Sequence, residues 1–447
     1  MAALRTSLYA AGSNGKGQLA TGTLDDAHSL QPCNFSGSPP PSLPVGTISI
    51  DSLVGGGNHT VALLLREDRR KELWGCGDGS KGQLGPAYTA DAGADTVFFR
   101  PVRFPLPGCR FEGFSVEKVA ACWETTYLVV SKDGCSDAVI SMGGDDFGDL
   151  GVGGLREKGM VRANAFHVVD FTSVVAGDAR RIAVKDIAAG PHHVVVHLQV
   201  AYADGSMREH VTGWGACRHG QLGPLESPSR RPLAFVSAPH AIPFDAEDPI
   251  TAIGAGNQHT VLLHSSGRVS GLGSNKKHQL SGLSDVSNAR AIACTWNGTY
   301  VLAEYADAGT CLFSVGSAAK GQLGRPPEAD HALAPVKFSS SSGLRHFACG
   351  SEHVLAVVSN QEGSEEPQYE VWGWGWNEHG NLATGSLEDV HTPIKVWPTS
   401  SAVHGHVDDI RAWAGCGSSW IAVRHREEVR GTRGLWLEFS TSQAACR

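Results

Sequence analysis

Apolar runs of strand length recur along this chain, each opened by a glycine turn and closed by a polar tip. The clearest openings are Gly56-Gly-Asn-His59, Gly190-Pro-His-His193, Gly256-Asn-Gln-His259 and Gly350-Ser-Glu-His353. Each leads into a run such as Thr60–Leu65, of strand length and shorter than an ordinary helix. A polar tip follows, as in Arg66–Glu72, Ser265–Arg268 and Asn360–Glu370, and then a short apolar return such as Leu73-Trp-Gly or Val371-Trp-Gly. A turn, a buried run, a polar tip and a return predict a β-hairpin. Three degenerate copies fill the gaps: Cys122-Trp-Glu-Thr125, Thr295-Trp-Asn-Gly298 and Gly415-Cys-Gly-Ser418.

A second pattern alternates strictly with the first. Gly12-Ser-Asn-Gly-Lys-Gly-Gln18-Leu19 recurs around Gln83-Leu84, Asp149-Leu150, Gln221-Leu222, Gln279-Leu280, Gln322-Leu323 and Asn381-Leu382. In all seven copies a Gly stands six residues before the Gln, Asn or Asp. Each unit has room for two further strands, as in Pro101–Phe104 with Val116–Ala120, although the fifth unit is short. Seven repeats of four antiparallel strands predict an all-β, seven-bladed β-propeller, in which radial repetition protects the sheet edges. The chain starts with a strand at Leu8-Tyr-Ala-Ala and nearly ends with one at Trp420-Ile-Ala-Val. The closing blade is therefore expected to combine residues 1–55 with about 410–423, its inner strand coming from the C-terminal part. On this reading 1–447 is a single propeller with 424–447 as an extension, in which Leu435–Phe439 could add a strand. The Pro-rich stretches Pro32–Pro44, Pro86–Pro107 and Pro224–Pro249 read as surface excursions.

Composition adjusts this picture in three ways. The 55 glycines in 447 residues exceed the ordinary share and suit strands that crowd toward an axis. A net charge of −8 argues against broad nucleic-acid binding, and no apolar run is long enough for a membrane helix. The 11 cysteines include no C-x-x-C pair, which favours reduced thiols in the cytoplasm or nucleus.

The paired motifs resemble the repeat of the regulator of chromosome condensation family, which implies a seven-bladed propeller over essentially the whole chain. Members of that family serve as nucleotide-exchange factors, ubiquitin-ligase scaffolds and adaptors. The opening Leu8-Tyr-Ala-Ala-Gly-Ser-Asn-Gly-Lys-Gly-Gln-Leu19 is similar to the fungal alpha-tubulin suppressor, or killer-toxin-insensitivity, family. That resemblance implies a heterodimer with a small zinc-binding protein of diphthamide synthesis. The pair would support diphthamide formation and Elongator-dependent modification of transfer-RNA wobble uridine. The alternatives are guanine nucleotide exchange on a Ran-type GTPase, or a scaffold for tubulin or ubiquitin machinery.

Candidate chemistry dissolves into the repeat. Gly77-Asp-Gly79-Ser-Lys-Gly82 fits G-x-G-x-x-G, but the same turn recurs with other glycines, so no cofactor is expected. His193 shares its position with His59, His259 and His353, and a residue repeated in successive blades reads as a structural device. His404-Gly-His406-Val-Asp408 lacks a distal partner, so no metal is expected there. Cys122, Cys294, Cys349 and Cys416 recur at packing positions. An enzyme is therefore not expected. What rises above the repeat is aromatic placement: Trp123, Trp296 and Trp420 at turns of the first pattern, Trp374 and Trp376 around the last turn of the second. With Glu124 and Glu378 beside them, Trp123, Trp296, Trp374 and Trp376 are the expected protein-binding residues, on a face that also carries Asn58, Gln258 and Glu352.

Overall fold

The computed structural model describes residues 4–90, 96–104, 110–153, 165–225, 231–305, 309–326, 332–338, 343–360, 368–398 and 406–426. They form seven antiparallel sheets, six with four strands and one with three, arranged as a propeller. Blade 1 is the closing blade. Blades 2 to 7 follow in chain order, with innermost strands Thr47–Gly55, Ser115–Ala121, Ala179–Ala189, Ile250–Ala255, Ala289–Thr295 and Gly343–Cys349. Blade 5 has three strands because a 3-10 turn at Leu283–Asp285 takes up the chain where the others place an outer strand. Among the described residues no helix is long and apolar enough to cross a membrane.

The expected frame shifts by one strand. The run after each Gly-x-x-His turn is the second strand of its blade, and the innermost strand is the one before the turn. Ser115–Ala121 therefore opens blade 3 and does not pair with Arg100–Pro101, the outer strand of blade 2. The closing blade likewise takes its two inner strands, Val407–Ala414 and Ser418–Arg426, from the C-terminal part. Its outer strands are Leu4–Gly12 and Ala27–Pro32, and Thr47–Gly55 belongs to blade 2, so the closing contribution is narrower than residues 1–55. Leu435–Phe439 lies outside the described residues.

The Pro-rich stretches are less peripheral than expected. Arg100–Pro101 and Phe235–Ile242 are outer strands, and Phe35, 1% exposed, stacks on Phe99 at 4.8 Å.

The apolar core is divided among the joints between blades. Leu63 and Leu84 of blade 2 meet Val119 and Leu128 of blade 3, and each of the other six joints holds its own cluster. Both faces of every blade are thereby covered, which explains why second strands such as His193–Tyr202 are apolar almost throughout.

One arrangement recurs in all seven blades. At Gly77 the backbone has φ +90°, and an added Cβ would lie 2.4 Å from the carbonyl oxygen of Asn58. The next amide, Asp78 N–H, donates to that same oxygen at 2.8 Å. Gly12, Gly143, Gly215, Gly273, Gly316 and Gly375 repeat the contact with Gly417, Glu124, His192, Gln258, Asn297 and Glu352. Only glycine combines positive φ with so close an approach. Both turns of a blade are thus fixed side by side on one face of the ring, called here the turn face.

Ring closure rests on Leu4–Gly12, which pairs with Ser418–Arg426 from Leu4↔Arg426 to Gly12↔Ser418. Leu8 and Ala10 fill the joint with blade 2, while Tyr9 packs into the joint with blade 7. Deleting residues 1–12 should therefore lower the stability of the whole ring, since it uncovers two joints and a strand edge. Thermal and urea unfolding of the truncated chain should show one transition with a clearly lower midpoint; an unchanged midpoint would refute this closure.

Candidate functional site

The repeated histidines prove to be joint residues. His59 Nε2 lies 2.9 Å from Thr126 Oγ1 of the next blade, His193 3.1 Å from Thr260, His259 3.2 Å from Thr299, and His353 2.9 Å from Ser419. Thr260 and Thr299 donate onward to the carbonyls of Gln221 and Gln279, so their oxygens accept from the imidazoles, which places the proton on Nε2 of His193 and His259. The ring of His59 packs against Gly56, where a Cβ would lie 2.1 Å from Cε1, and this accounts for the Gly-x-x-His spacing.

Blades without this histidine use a different joint. Ser418, Thr125 and Gly298 replace it, and two residues later stand Trp420, Tyr127 and Tyr300 in place of Val61, Val195, Val261 or Leu355. The Tyr127 and Tyr300 hydroxyls donate to the carbonyls of Asp149 and Gln322, as do Trp214 Nε1 and Trp374 Nε1 of the following blades. The Gln or Asp of the second pattern is thus a shared acceptor at the joint. Its side chain holds its own turn, as when Gln18 Oε1 accepts from Lys16 N.

The other candidate groups are also committed. Burial keeps the Cys294 and Cys416 thiols neutral, each pushed up to about 12, and raises Cys122 and Cys349 as well. Gly77–Gly82 forms a turn and not the start of a helix. His197 faces Glu209 at 3.3 Å and His192 faces Asp149 at 3.6 Å, so neither joins His193. His406 pairs with Asp408 at 3.3 Å, and His404 lies outside the described residues. Among the described residues no three metal-capable side chains converge.

On the turn face, the inner strands end around a central cavity of about 250 Å³ lined by Leu53, Val119, Ile187, Ala255, Cys294 and Cys349. Trp123 of blade 3 and Trp296 of blade 6 reach across its mouth, with ring centroids 5.9 Å apart and planes tilted by 47°. Both are half-buried, and the Trp123 ring covers Gly57. Their backbones belong to two hydrogen-bonded arcs. Gly57 N–H donates to Trp123 O and Trp123 N–H to Pro191 O. Asn257 N–H donates to Trp296 O, Trp296 N–H to Ser351 O, and Ser351 N–H to Gly415 O.

The expected site residues therefore separate. Trp123 and Trp296 come together, with Glu124 next in sequence and packed against Gly144. Trp374 does not join them; it is fully buried and bonded to Gln322 O, and Trp420 is only 1% exposed. The repeat held that information, since the residue before the turn glycine is apolar in every copy: Ala11, Cys76, Met142, Trp214, Leu272, Val315 and Trp374. Trp376 and Glu378 sit farther out in the blade 7 turn, joined by Trp376 Nε1–H···Oε2 at 3.0 Å and facing His379 at 5.2 Å. His379 in turn bonds Asp26 of blade 1 at 2.7 Å. Glu352 is tied down by Asn297 at 2.5 Å and Gln322 at 2.8 Å, and burial raises its carboxyl.

A seven-bladed propeller whose blades each pair a Gly-x-x-His-type turn with a Gly-to-Gln-Leu turn defines the class of protein. Part of the chain matches the regulator of chromosome condensation (RCC1) repeat: one RCC1 repeat model matches residues 311–357 and 370–419, and a second matches 250–279. It is 29% identical to the bovine secretion-regulating guanine nucleotide exchange factor over 422 residues, covering 87% of this chain and 78% of that one. It is 26% identical to an RCC1 repeat-containing protein of Schizosaccharomyces pombe, covering 94% and 100%. In structure it resembles Prp20p of Saccharomyces cerevisiae, with a TM-score of 0.66 at 18% identity over 95% of this chain and 92% of that one.

The joint histidines predict a pH dependence. Burial lowers His59, His259 and His353 to about 4 and His193 to about 3, from an ordinary 6.5. Folded values below the unfolded value mean that the unfolded chain binds more protons between these limits. The contribution of neutral imidazole is thus complete above pH 6.5 and is lost as pH falls toward 4. The urea midpoint should fall across this window, and replacing all four histidines by Gln should flatten that slope while lowering the midpoint at neutral pH. An unaltered slope in the variant would remove these groups as its cause.

Proposed function

We propose that this chain is a non-catalytic adaptor that binds a folded protein partner at the mouth of its turn face. The observation carrying this reading is the Trp123–Trp296 pair. At the aligned position the other blades have Gly57, Pro191, Asn257, Ser351 and Cys416, so both indoles exceed what the joints require. Large, rigid, half-exposed aromatics bury much area at low conformational cost. The partner we propose is the small zinc-binding protein of diphthamide synthesis, in a cytoplasmic or nuclear heterodimer. It is supported by the family resemblance of the Leu8–Leu19 stretch. The adaptor would thereby serve diphthamide formation and Elongator-dependent modification of transfer RNA.

A second reading, guanine nucleotide exchange on a Ran-type GTPase, is favoured by the likeness to the bovine secretion-regulating exchange factor. A scaffold for ubiquitin machinery is favoured by likeness to E3 ubiquitin-protein ligases, although the match covers less than a third of their length; the tubulin reading rests on the sequence resemblance alone. Calorimetric titration with the zinc-binding protein should give a complex that Trp123→Ala and Trp296→Ala each weaken by about 2 kcal/mol. Thermal melting of both variants should stay close to that of the parent chain. Equal affinity in both variants would place the interface away from the mouth. In parallel, release of a fluorescent guanine nucleotide from a Ran-type GTPase should stay at background; strong stimulation would replace the adaptor reading with exchange.

A further inference from the structure

Charge on the turn face is unevenly distributed. The Gly-to-Gln turns of blades 4 to 6 carry Arg218, His219, Lys276, Lys277, His278 and Lys320 and no carboxylate; blade 1 has the single cation Lys16, blade 2 balances Lys81 with Asp78, and blades 3 and 7 carry Asp145, Asp146, Asp149 and Glu378. Lys320 is matched by Asp389 of blade 7 at 3.3 Å. Arg218, Lys276 and Lys277 are exposed, and none of the three forms an ion pair among the described residues. The blade 4 turn abuts blade 5, since a Cβ on Gly220 would lie 4.0 Å from Gly273 Cα. His219 is held below its ordinary value by burial and then by the fields of Lys276 and Arg218, so cations of both turns act on its ring. Lys277 also acts on Glu352, whose oxygens are already taken by Asn297 and Gln322. At the base of the same blade 4 turn Phe235 is 45% exposed and pairs with Ala216 across the sheet; Val236 and Ser237 after it pack on Gly148 of the blade 3 turn, so Phe235 marks the end of the cationic arc that borders Asp145 and Asp146.

We propose that the turns of blades 4 and 5 dock an acidic peptide segment of a protein partner. Its carboxylates would lie against Arg218, Lys276 and Lys277, and an apolar side chain would lie on Phe235. The proposal rests on the adaptor reading and adds a second contact outside the tryptophan mouth. Unmatched cations gain most from carboxylates that arrive together, and an attached apolar anchor fixes their register. A short peptide fits the arc better than nucleic acid does. An extended phosphate backbone would overrun it onto Asp145 and Asp146 on one side and Glu378 and Glu388 on the other.

The probe is a fluorescein-labelled synthetic peptide of Glu-Asp pairs alternating with Leu and Phe, followed by anisotropy against the full chain. We expect saturable, salt-sensitive binding that the R218E/K276E/K277E chain weakens about tenfold or more. Phe235→Ala should weaken binding at high and low salt alike. The K16E/K81E chain, altered on the same face in blades 1 and 2, should bind as the parent does. All these positions except Phe235 lie on exposed turns, and melting curves confirm that each variant is folded. The proposal is overturned if the parent chain does not bind, if K16E/K81E loses as much as the triple variant, or if Phe235→Ala binds unchanged. It is also overturned if a single-stranded oligonucleotide binds as tightly and is lost with the same triple variant. Failure here with the zinc-protein complex intact removes only this contact; the reverse result removes that partner and leaves the acidic-peptide site standing.

Discussion

A carbonyl oxygen pressed against a carbon that carries no side chain sets the geometry of every blade. At Gly77, and at its six counterparts, the turn carbonyl approaches to a distance that a Cβ would forbid, and the following amide captures it. This contact ties the turn between the first and second strands to the turn that ends the third. Everything on the functional face follows from it. The residues free to vary are those left outside the lock, and they are presented side by side.

The joints between blades show how one problem is solved in two ways. A histidine that reaches a hydroxyl on the next blade suffices where the following apolar residue is small. Where the histidine is missing, a tyrosine or tryptophan two residues on fills the volume, and Tyr127 and Tyr300 reach the glutamine-type carbonyl instead. The substitutions are therefore paired within each copy. A blade that looks degenerate when compared one position at a time is intact when the two positions are taken together. The same pairing explains why Gly298 stands where His259 does: Tyr300 occupies the space.

Much of this could be read along the chain because the repeat supplies its own alignment. Seven copies, the shared turn face, the short fifth blade and the closure by Leu8–Ala11 with Trp420–Val423 follow from strict alternation of two patterns. The inner strand was displaced by one because the strand before each Gly turn, such as Ser115–Ala121, has mixed burial and a weak apolar signature. Trp374 was expected at the surface because it stands so near Trp376, yet the strand Gln368–Gly375 ends between them: Trp374 is still inside the blade joint, bonded to Gln322 O, whereas Trp376 lies beyond the positive-φ Gly375 in the turn. The contact of Trp123 with Trp296 had no local signal. Those residues lie three blades apart, and only the curvature of the ring brings them together. The cationic arc was hidden for a different reason, since an overall charge of −8 conceals a cluster spread over three turns.

The mouth of the ring has two seams. Pro191 has no N–H to pass on to blade 5, and among the described residues no backbone bond joins the turn of blade 1 to that of blade 2. The hydrogen-bonded rim is therefore two arcs, and Trp123 belongs to one while Trp296 belongs to the other. Hydrogen bonds within an arc resist small displacements because they depend on direction, whereas two indole faces can slide by a fraction of an ångström at little cost. The rim thus works as a split collar: stiff along each half, with its compliance gathered at the aromatic contact that bridges them.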